Sequence, residues 1–195
     1  MLNLKKNPRM SSLGSSEKRL LLAIARQAVT KAVQSGEPLE KFSNTEELQR
    51  PGGAFVTLHY RGRLRGCVGQ LPSKDSLASV VAHCAKSAAL EDPRFEVVRI
   101  DELPGIEIEL SVLSQPANAT QREIEPGKHG LIVSCGWKRG VLLPQVATQF
   151  RWNAERFLEE TCVKAGLSKN AWKDAGTQIR TFTAEVFSEA DFLAS

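Results

Sequence analysis

The segment from Ile106 to Val112 constrains the fold more than any other part of this sequence. Four aliphatic residues alternate with three polar ones there: Ile106, Glu107, Ile108, Glu109, Leu110, Ser111 and Val112. Successive side chains of a strand point to opposite faces, so this alternation predicts a half-buried strand with a solvated acidic face. One-sided strands of this kind are typical of antiparallel sheets that pack a single face on a core.

Strand and turn signals elsewhere extend the same pattern. A hairpin is predicted from Ala54–Tyr60 and Leu64–Leu71 around Arg61-Gly62-Arg63, and a second from Leu131–Cys135 and Val141–Leu143. A last strand is predicted at 179–187. Helices are predicted from Ser16, after Pro72 and after Asn153. No regular β-α-β alternation occurs, so the fold class is α+β, a largely antiparallel sheet with flanking helices.

The domain organisation follows from length and composition. A chain of 195 residues can bury one core, or one core plus a small second lobe. We predict a mobile N-terminal tail at 1–15, one continuous domain at 16–189 and a C-terminal tail at 190–195. No apolar run approaches the roughly 18 residues that span a bilayer, and no secretory signal opens the chain. We therefore expect a cytoplasmic protein without membrane contact.

The basic balance of the chain is weaker than its net charge of +4 indicates. Lys5, Lys6 and Arg9 lie in the predicted tail, and without them 23 basic residues stand against 22 acidic ones. Arg61, Arg63 and Arg65 cluster beside His59, and a nucleic-acid surface needs more clustering than that. Nucleic-acid binding is therefore an alternative function and not the first choice.

The cysteines do not form a metal-binding pattern. No Cys-x-x-Cys pair occurs among the four cysteines, which are Cys67, Cys84, Cys135 and Cys162. No histidine pair has metal-ligand spacing. We therefore predict no metal site, and in a reducing compartment four thiols. No phosphate loop, dinucleotide fingerprint or hydrolase elbow occurs, so no cofactor is evident.

Cys67, between Gly66 and Gly69, is the best candidate for a functional side chain. A three-residue hairpin loop would place Val56, Leu58, Leu64 and Val68 on one face, and Thr57, His59, Arg65 and Cys67 on the other. On that face the positive charge of Arg65 would favour the thiolate form of Cys67. His59 is a weak candidate for a base, because it lies on the same face but one residue pair further along the hairpin from Cys67.

The glycines beside Cys67 favour an accessible site, and the other three cysteines are weaker candidates. Gly66 and Gly69 would remove side chains that crowd a ligand or an approaching backbone. The alternative is that Cys67 is a small buried hydrophobe and that the glycines mark only a bulge. Cys84 and Cys162 fall on apolar helical stripes, and Cys135 is more typical of a structural residue.

Several segments resemble one known family in order along nearly the whole chain. They are Gly53–Leu58, Leu64–Gly69, Asp92–Phe95, Glu102–Pro104, His129–Val133 and Arg139–Val146. Their sequences resemble the AMMECR family, called AmmeMemoRadiSam system protein A in prokaryotes. The resemblance implies two unequal lobes with a cleft between them, the Arg-Gly-Cys segment in that cleft, and Memo-type and radical S-adenosylmethionine proteins as partners.

Three functions remain open at this point. The first is a ligand- or partner-binding accessory component. The second is a thiol-dependent enzyme in which Cys67 is a nucleophile or covalent carrier, and Arg94, His129 and Arg139 bind an anionic group of an unknown small molecule or move a proton. The third is nucleic-acid binding. The sequence assigns no reaction and no oligomeric state.

Overall fold

The computed structural model describes residues 13–39 and 45–192. The predicted N-terminal tail therefore lies almost wholly outside the described residues, as do the last three residues of the predicted C-terminal tail. Residues 190–192 of that tail instead belong to a short 3-10 helix, Glu189–Phe192, and Phe192 packs against a hydrophobic core. No helix in the described part of the chain is long and apolar enough to cross a membrane.

The described residues divide into two compact units. Those up to Ser114 and those from Glu185 onward form unit 1, and Gln115–Ala184 form unit 2. The helices are α1 Ser15–Ser35, α2 Leu77–Leu90, α3 Pro144–Gln149 and α4 Ala154–Lys164. The strands are β1 Gly53–Tyr60, β2 Arg63–Gln70, β3 Ile106–Leu113, β4 Ala117–Asn118, β5 Gly130–Cys135, β6 Lys138–Leu142, β7 Gln178–Phe182 and β8 Ala184–Ser188.

Two four-stranded sheets carry the architecture, which confirms the α+β fold class. Sheet 1 has the strand order β2-β1-β3-β8 and sheet 2 the order β4-β7-β5-β6. The β1–β2 and β1–β3 pairs are antiparallel, as are the β4–β7, β5–β6 and β5–β7 pairs. Strand β2 is therefore an edge strand of sheet 1.

The apolar face of sheet 1 packs against α1 and α2, as the alternation in β3 predicts. Ile108 and Leu110 are fully buried, whereas Glu107 is exposed and Glu109 half-buried. In unit 2, helix α4 covers one face of sheet 2 and contributes Phe157, Leu158 and Cys162 to a second core. Burying such faces removes apolar surface from water and stabilises each unit.

The first hairpin turns over two residues, not the predicted three. Tyr60 pairs with Arg63, and Arg61 and Gly62 both have positive φ, 52° and 72°, as a type I′ turn requires. A bulge then leaves Arg65 without a partner, so that Leu58 faces Gly66. The predicted register is wrong at Leu64, which lies opposite His59 and is exposed, but it is restored beyond the bulge.

Two other predicted elements also change. The second hairpin closes over Gly136 and Trp137, since Cys135 pairs with Lys138, so its loop is shorter than predicted. The predicted last strand at 179–187 is two strands, β7 and β8, which belong to different sheets. The predicted stretch is extended, but its first half pairs within sheet 2 and its second half within sheet 1.

Candidate functional site

Cys67 lies on the edge strand β2 and is a half-exposed residue. It pairs with Thr57 of β1, and the Thr57 hydroxyl donates a hydrogen bond to Cys67 Sγ at 3.4 Å. Thr57 in turn pairs with Glu109 of β3. A thiol, a hydroxyl and a carboxylate therefore form one row across three strands, on the face of sheet 1 opposite its helices.

His59 belongs to the next row on the same face. It pairs with Leu64 on one side and Glu107 on the other, one residue pair away from Cys67 as predicted. Among the described residues, His59 makes no hydrogen bond to the Cys67 sulfur. The structure therefore places the weak candidate base near the thiol without bringing the two into contact.

The backbone of Cys67 is held from outside the sheet by two side chains that follow α2. Asp92 Oδ2 accepts a hydrogen bond from the Cys67 N–H at 2.8 Å, and Arg94 Nη2 donates one to the Cys67 carbonyl at 3.0 Å. These are the two groups that an edge strand would otherwise leave unpaired. The candidate residue Arg94 therefore lies at the site, and Asp92 joins it there.

Asp92 and Arg94 also bind each other. The guanidinium donates to both carboxylate oxygens, at 2.9 Å and 2.7 Å. These hydrogen bonds hold the pKa of Asp92 well below its usual value, although burial of the carboxyl acts in the opposite direction. The same bonds raise the pKa of Arg94. Asp92 is thus a buried, ionised anchor for the edge strand at Cys67.

Arg65 does not serve the thiol in the predicted way. Its guanidinium forms an ion pair with Glu102, with Nε to Oε1 at 2.8 Å and Nη2 to Oε2 at 2.9 Å. It also donates to the backbone carbonyls of Glu96 and Val97. The bulge turns Arg65 toward these partners, so its charge is balanced by a carboxylate. Hydrogen bonds from Arg65 lower the pKa of Glu102.

Both glycines beside Cys67 make room for protein atoms. A Cβ at Gly66 would lie 2.1 Å from the carbonyl oxygen of Ala88, so the missing side chain lets α2 approach the sheet. A Cβ at Gly69 would lie 2.2 Å from the Phe55 ring. At Gly66 the approaching group is backbone, as predicted, whereas at Gly69 it is an aromatic side chain. Ligand binding at either glycine remains a prediction.

The remaining candidates, His129 and Arg139, belong to unit 2. His129 Nδ1 accepts a hydrogen bond from the Glu125 N–H at 3.1 Å and so closes the turn before β5. Arg139 lies on β6, opposite Ser134, and its side chain makes no hydrogen bond to another described residue. The structure gives His129 a local role and leaves Arg139 available.

The other thiols differ from Cys67. All four cysteines are free. Burial raises the pKa of Cys84 to about 12 and also raises that of Cys162, so both thiols are protonated at neutral pH. Cys135 is half-exposed like Cys67. The described residues contain no group of three or more His, Cys, Asp or Glu side chains that could hold a metal ion.

Sequence reasoning missed Asp92, Thr57 and Glu102 as parts of the site. Asp92 enters the sequence-based prediction only through the segment Asp92–Phe95, although an aspartate two residues before an arginine is also a signal for an ion pair. Thr57 was placed on the correct face without a role. Glu102 is 37 positions from Arg65, and no local pattern joins them. With Arg65 paired, the basic cluster that favoured nucleic acid is reduced to Arg61 and Arg63.

Comparison with known proteins assigns the chain to a family. The model of the AMMECR1 family matches residues 22–187. A protein of Methanothermobacter thermautotrophicus is 40% identical over 91% of this chain and 96% of its own length. A protein of Methanocella arvoryzae is 39% identical over 88% of this chain and 90% of its own.

A solved structure agrees with this assignment. The crystal structure of the uncharacterised protein PH0010 of Pyrococcus horikoshii has a TM-score of 0.76 and 37% sequence identity, and the match covers 87% of this chain and 89% of that one. Three of the segments that carry the family resemblance, Leu64–Gly69, Asp92–Phe95 and Glu102–Pro104, meet around Cys67 in the contacts described above. The chain belongs to the AMMECR1 family.

Proposed function

We propose that this protein is a binding component that works as an accessory to other proteins, and that the sheet face around Cys67 is what it presents to them. The observation that carries this proposal is the fixed position of the half-exposed residue Cys67. Asp92 and Arg94 hold the backbone of Cys67, and Thr57 holds the sulfur. A contact residue held in one geometry loses little conformational entropy on binding.

The contacts of the sulfur favour binding over independent catalysis. A nucleophilic cysteine requires a base within hydrogen-bond reach and a third group that orients the base. Within the described ranges, Cys67 Sγ contacts the Thr57 hydroxyl and no imidazole or carboxylate by hydrogen bond. The proposed partners are a Memo-type protein and a radical S-adenosylmethionine protein, as the family resemblance implies, together with an unidentified small molecule.

The test compares two substitutions at Cys67. Binding of the purified chain to a Memo-type and to a radical S-adenosylmethionine protein of the same genome is measured by calorimetry. Cys67→Ser keeps the size of the side chain, and we expect it to retain binding within a few-fold. Cys67→Phe adds bulk at the contact, and we expect it to weaken binding about tenfold or more, since a poorly packed hot spot costs over 1 kcal/mol.

Cys135 supplies the matched control. It is also a half-exposed thiol, but it lies in unit 2. Cys135→Ser and Cys135→Phe should leave binding unchanged. The proposal is rejected if neither partner binds the wild-type chain, or if Cys67→Phe and Cys135→Phe weaken binding equally.

A thiol-dependent enzyme is the second candidate, and the half-exposure of Cys67 with a hydroxyl donor at its sulfur favours it. In a labelling reaction, the thiolate attacks a disulfide reagent such as dithionitrobenzoate and releases the aromatic thiolate, which is measured by absorbance. A reactive Cys67 would be labelled faster than the same thiol in a denatured peptide. Labelling at the peptide rate or slower, with Cys67→Ala used to assign the signal, excludes this candidate.

A further inference from the structure

Two arginines share the face of sheet 2 that α4 does not cover. Arg180 of β7 pairs with Ile132 of β5, and Arg139 of β6 pairs with Ser134, two positions further along β5. Positions two apart on a strand point to the same face, so both guanidiniums extend over the same surface. The opposite face carries Leu131 and Val133, which pack in the core with α4.

Neither guanidinium has an anionic partner. Among the described residues, Arg139 and Arg180 form no ion pair and donate no hydrogen bond. Arg180 is half-buried, and its Nε is shielded from solvent without an acceptor. Buried polar groups in folded proteins are nearly always hydrogen-bonded, so an unpartnered one requires an explanation.

The two cations also oppose each other. Partial burial lowers the pKa of Arg139, and the positive charge of Arg180 lowers it further. The strands that carry them, β6 and β7, lie on either side of β5, and two like charges on one face of a sheet repel each other. A bound anion would offset both the burial of the guanidinium groups and their mutual repulsion, because it would accept their hydrogen bonds and balance their charge.

The surrounding side chains carry no charge: Ile132 and Val141 continue the row of Arg180, and polar residues supply the rest. Ser134 lies between Arg139 and Gln178 in one row, and Asn118 of β4 lies opposite Arg180 in the next. Side chains of these types can donate further hydrogen bonds to an oxygen ligand. No carboxylate occupies these pairing positions on β4, β5, β6 or β7 to repel it.

We propose that Arg139 and Arg180 form a binding site in unit 2 for an oxyanion group of a ligand, either a phosphoryl group or a carboxylate. Arginine forks match the geometry of both groups through paired hydrogen bonds. The site lies wholly within one unit, and it does not depend on Cys67 or on the proposed accessory function. Arg139 is a residue that the sequence already indicated; Arg180 and the pairing of the two are new.

The full chain is titrated by calorimetry with two probes, inorganic pyrophosphate and citrate, at constant ionic strength and neutral pH. We expect saturable binding of at least one probe. The tighter probe identifies the phosphoryl or the carboxylate class. Arg139→Gln and Arg180→Gln should each weaken that binding about tenfold or more, because each removes charged hydrogen bonds.

Arg122→Gln is the control. Arg122 is an exposed arginine of unit 2 without a partner among the described residues, and it lies in a 3-10 helix beside α4, next to the other face of sheet 2. It should leave binding unchanged, and circular dichroism should show all three variants folded. The proposal is overturned by the absence of saturable binding of both probes, or by an equal loss in Arg122→Gln, which would indicate general charge attraction.

A second measurement separates binding from damage to the fold. A ligand that binds the folded state raises the melting temperature by an amount that grows with the ratio of its free concentration to its Kd. The probe that binds should therefore raise the melting temperature of the wild type and of Arg122→Gln. It should have no effect on the double variant of Arg139→Gln and Arg180→Gln. A rise of equal size in the double variant contradicts the site.

Discussion

In unit 1, the two arginines beside Cys67 each hold a carboxylate, whereas in unit 2 Arg139 and Arg180 meet none among the described residues. The paired arginines fix backbone: Arg94 binds the carbonyl of Cys67, and Arg65 binds those of Glu96 and Val97. Arg139 and Arg180 hold no backbone or side-chain acceptor among the described residues. The same residue type therefore supports the fold in one region and is free to bind a ligand in the other.

The edge of sheet 1 shows why pairing is needed there. An edge strand presents open N–H and C=O groups that can join another chain. Asp92 and Arg94 cover these groups at Cys67, and Arg65 ties the covering segment to β2. In sheet 2 the unpaired arginines extend over a face, and neither donates to a backbone carbonyl among the described residues, although Arg139 is itself on the edge strand β6. Substitutions in the two regions should therefore differ in magnitude and even in sign.

The largest effect is expected at Gly66. In Gly66→Ala the new Cβ would lie against the Ala88 carbonyl, a backbone atom that cannot move without shifting α2. We expect a loss of about 3 kcal/mol in the free energy of unfolding, measured by urea denaturation. Gly176→Ala is the control, because its Cβ would meet no atom within 4 Å. Equal stability of the two variants would show that α2 does not pack tightly on the edge strand.

Removal of the buried anchor should have the next largest effect. Asp92→Ala leaves the Cys67 N–H without its acceptor and Arg94 without its counter-charge. We expect a loss of about 2–3 kcal/mol in unfolding free energy. Asp92→Asn retains an oxygen that can accept from the Cys67 N–H, so it should lose less. If both variants match the wild type, Asp92 does not fix the edge at Cys67.

Glu102 should make stability depend on pH. Its pKa is lowered in the folded state from an ordinary value of 4.5, so its contribution is complete above that pH and is lost as the pH falls through the folded pKa. Glu102→Gln should cost about 1–2 kcal/mol at pH 7, and the cost should shrink below about pH 4.5. Asp101→Asn, in the exposed pair with Arg99, should change nothing measurable. A pH-independent cost of Glu102→Gln would contradict the ion pair.

The smallest effect, and the one that tests the comparison most directly, is expected at Arg180. Arg180→Met removes a shielded donor that has no acceptor, so we expect the unfolding free energy to change by less than about 0.5 kcal/mol or to rise. Arg65→Met, which breaks a partly buried ion pair, should lose about 1–2 kcal/mol. A similar loss in both variants would mean that Arg180 supports the fold after all.

The sequence predicted what apolar patterning controls. The alternation in β3 gave the correct buried face, and the register of Val56, Thr57 and Leu58 against β2 was correct, because a slip would expose the core. The loop length of the first hairpin was not predictable in the same way. It depends on Arg61 adopting a positive φ, which is uncommon for a residue other than glycine.

The candidate site was predicted as a place and not as a set of contacts. Cys67, Thr57 and His59 share a face because strand periodicity places them there. The partner of Arg65 could not be predicted, because a bulge turns the side chain toward Glu102, distant in sequence. The unpaired state of Arg180 is equally invisible in the sequence, since it depends on which residues the fold brings near.

The break between β7 and β8 has a consequence for how the chain is assembled. Glu189, just after β8, binds the Ile108 N–H near the start of β3, so the start of β8 lies beside the end of β3. The chain leaves unit 1 after Ser114 and returns at Glu185, which places exit and re-entry side by side. Unit 2 is thus an inserted module, and a short turn in its place would join β3 directly to β8.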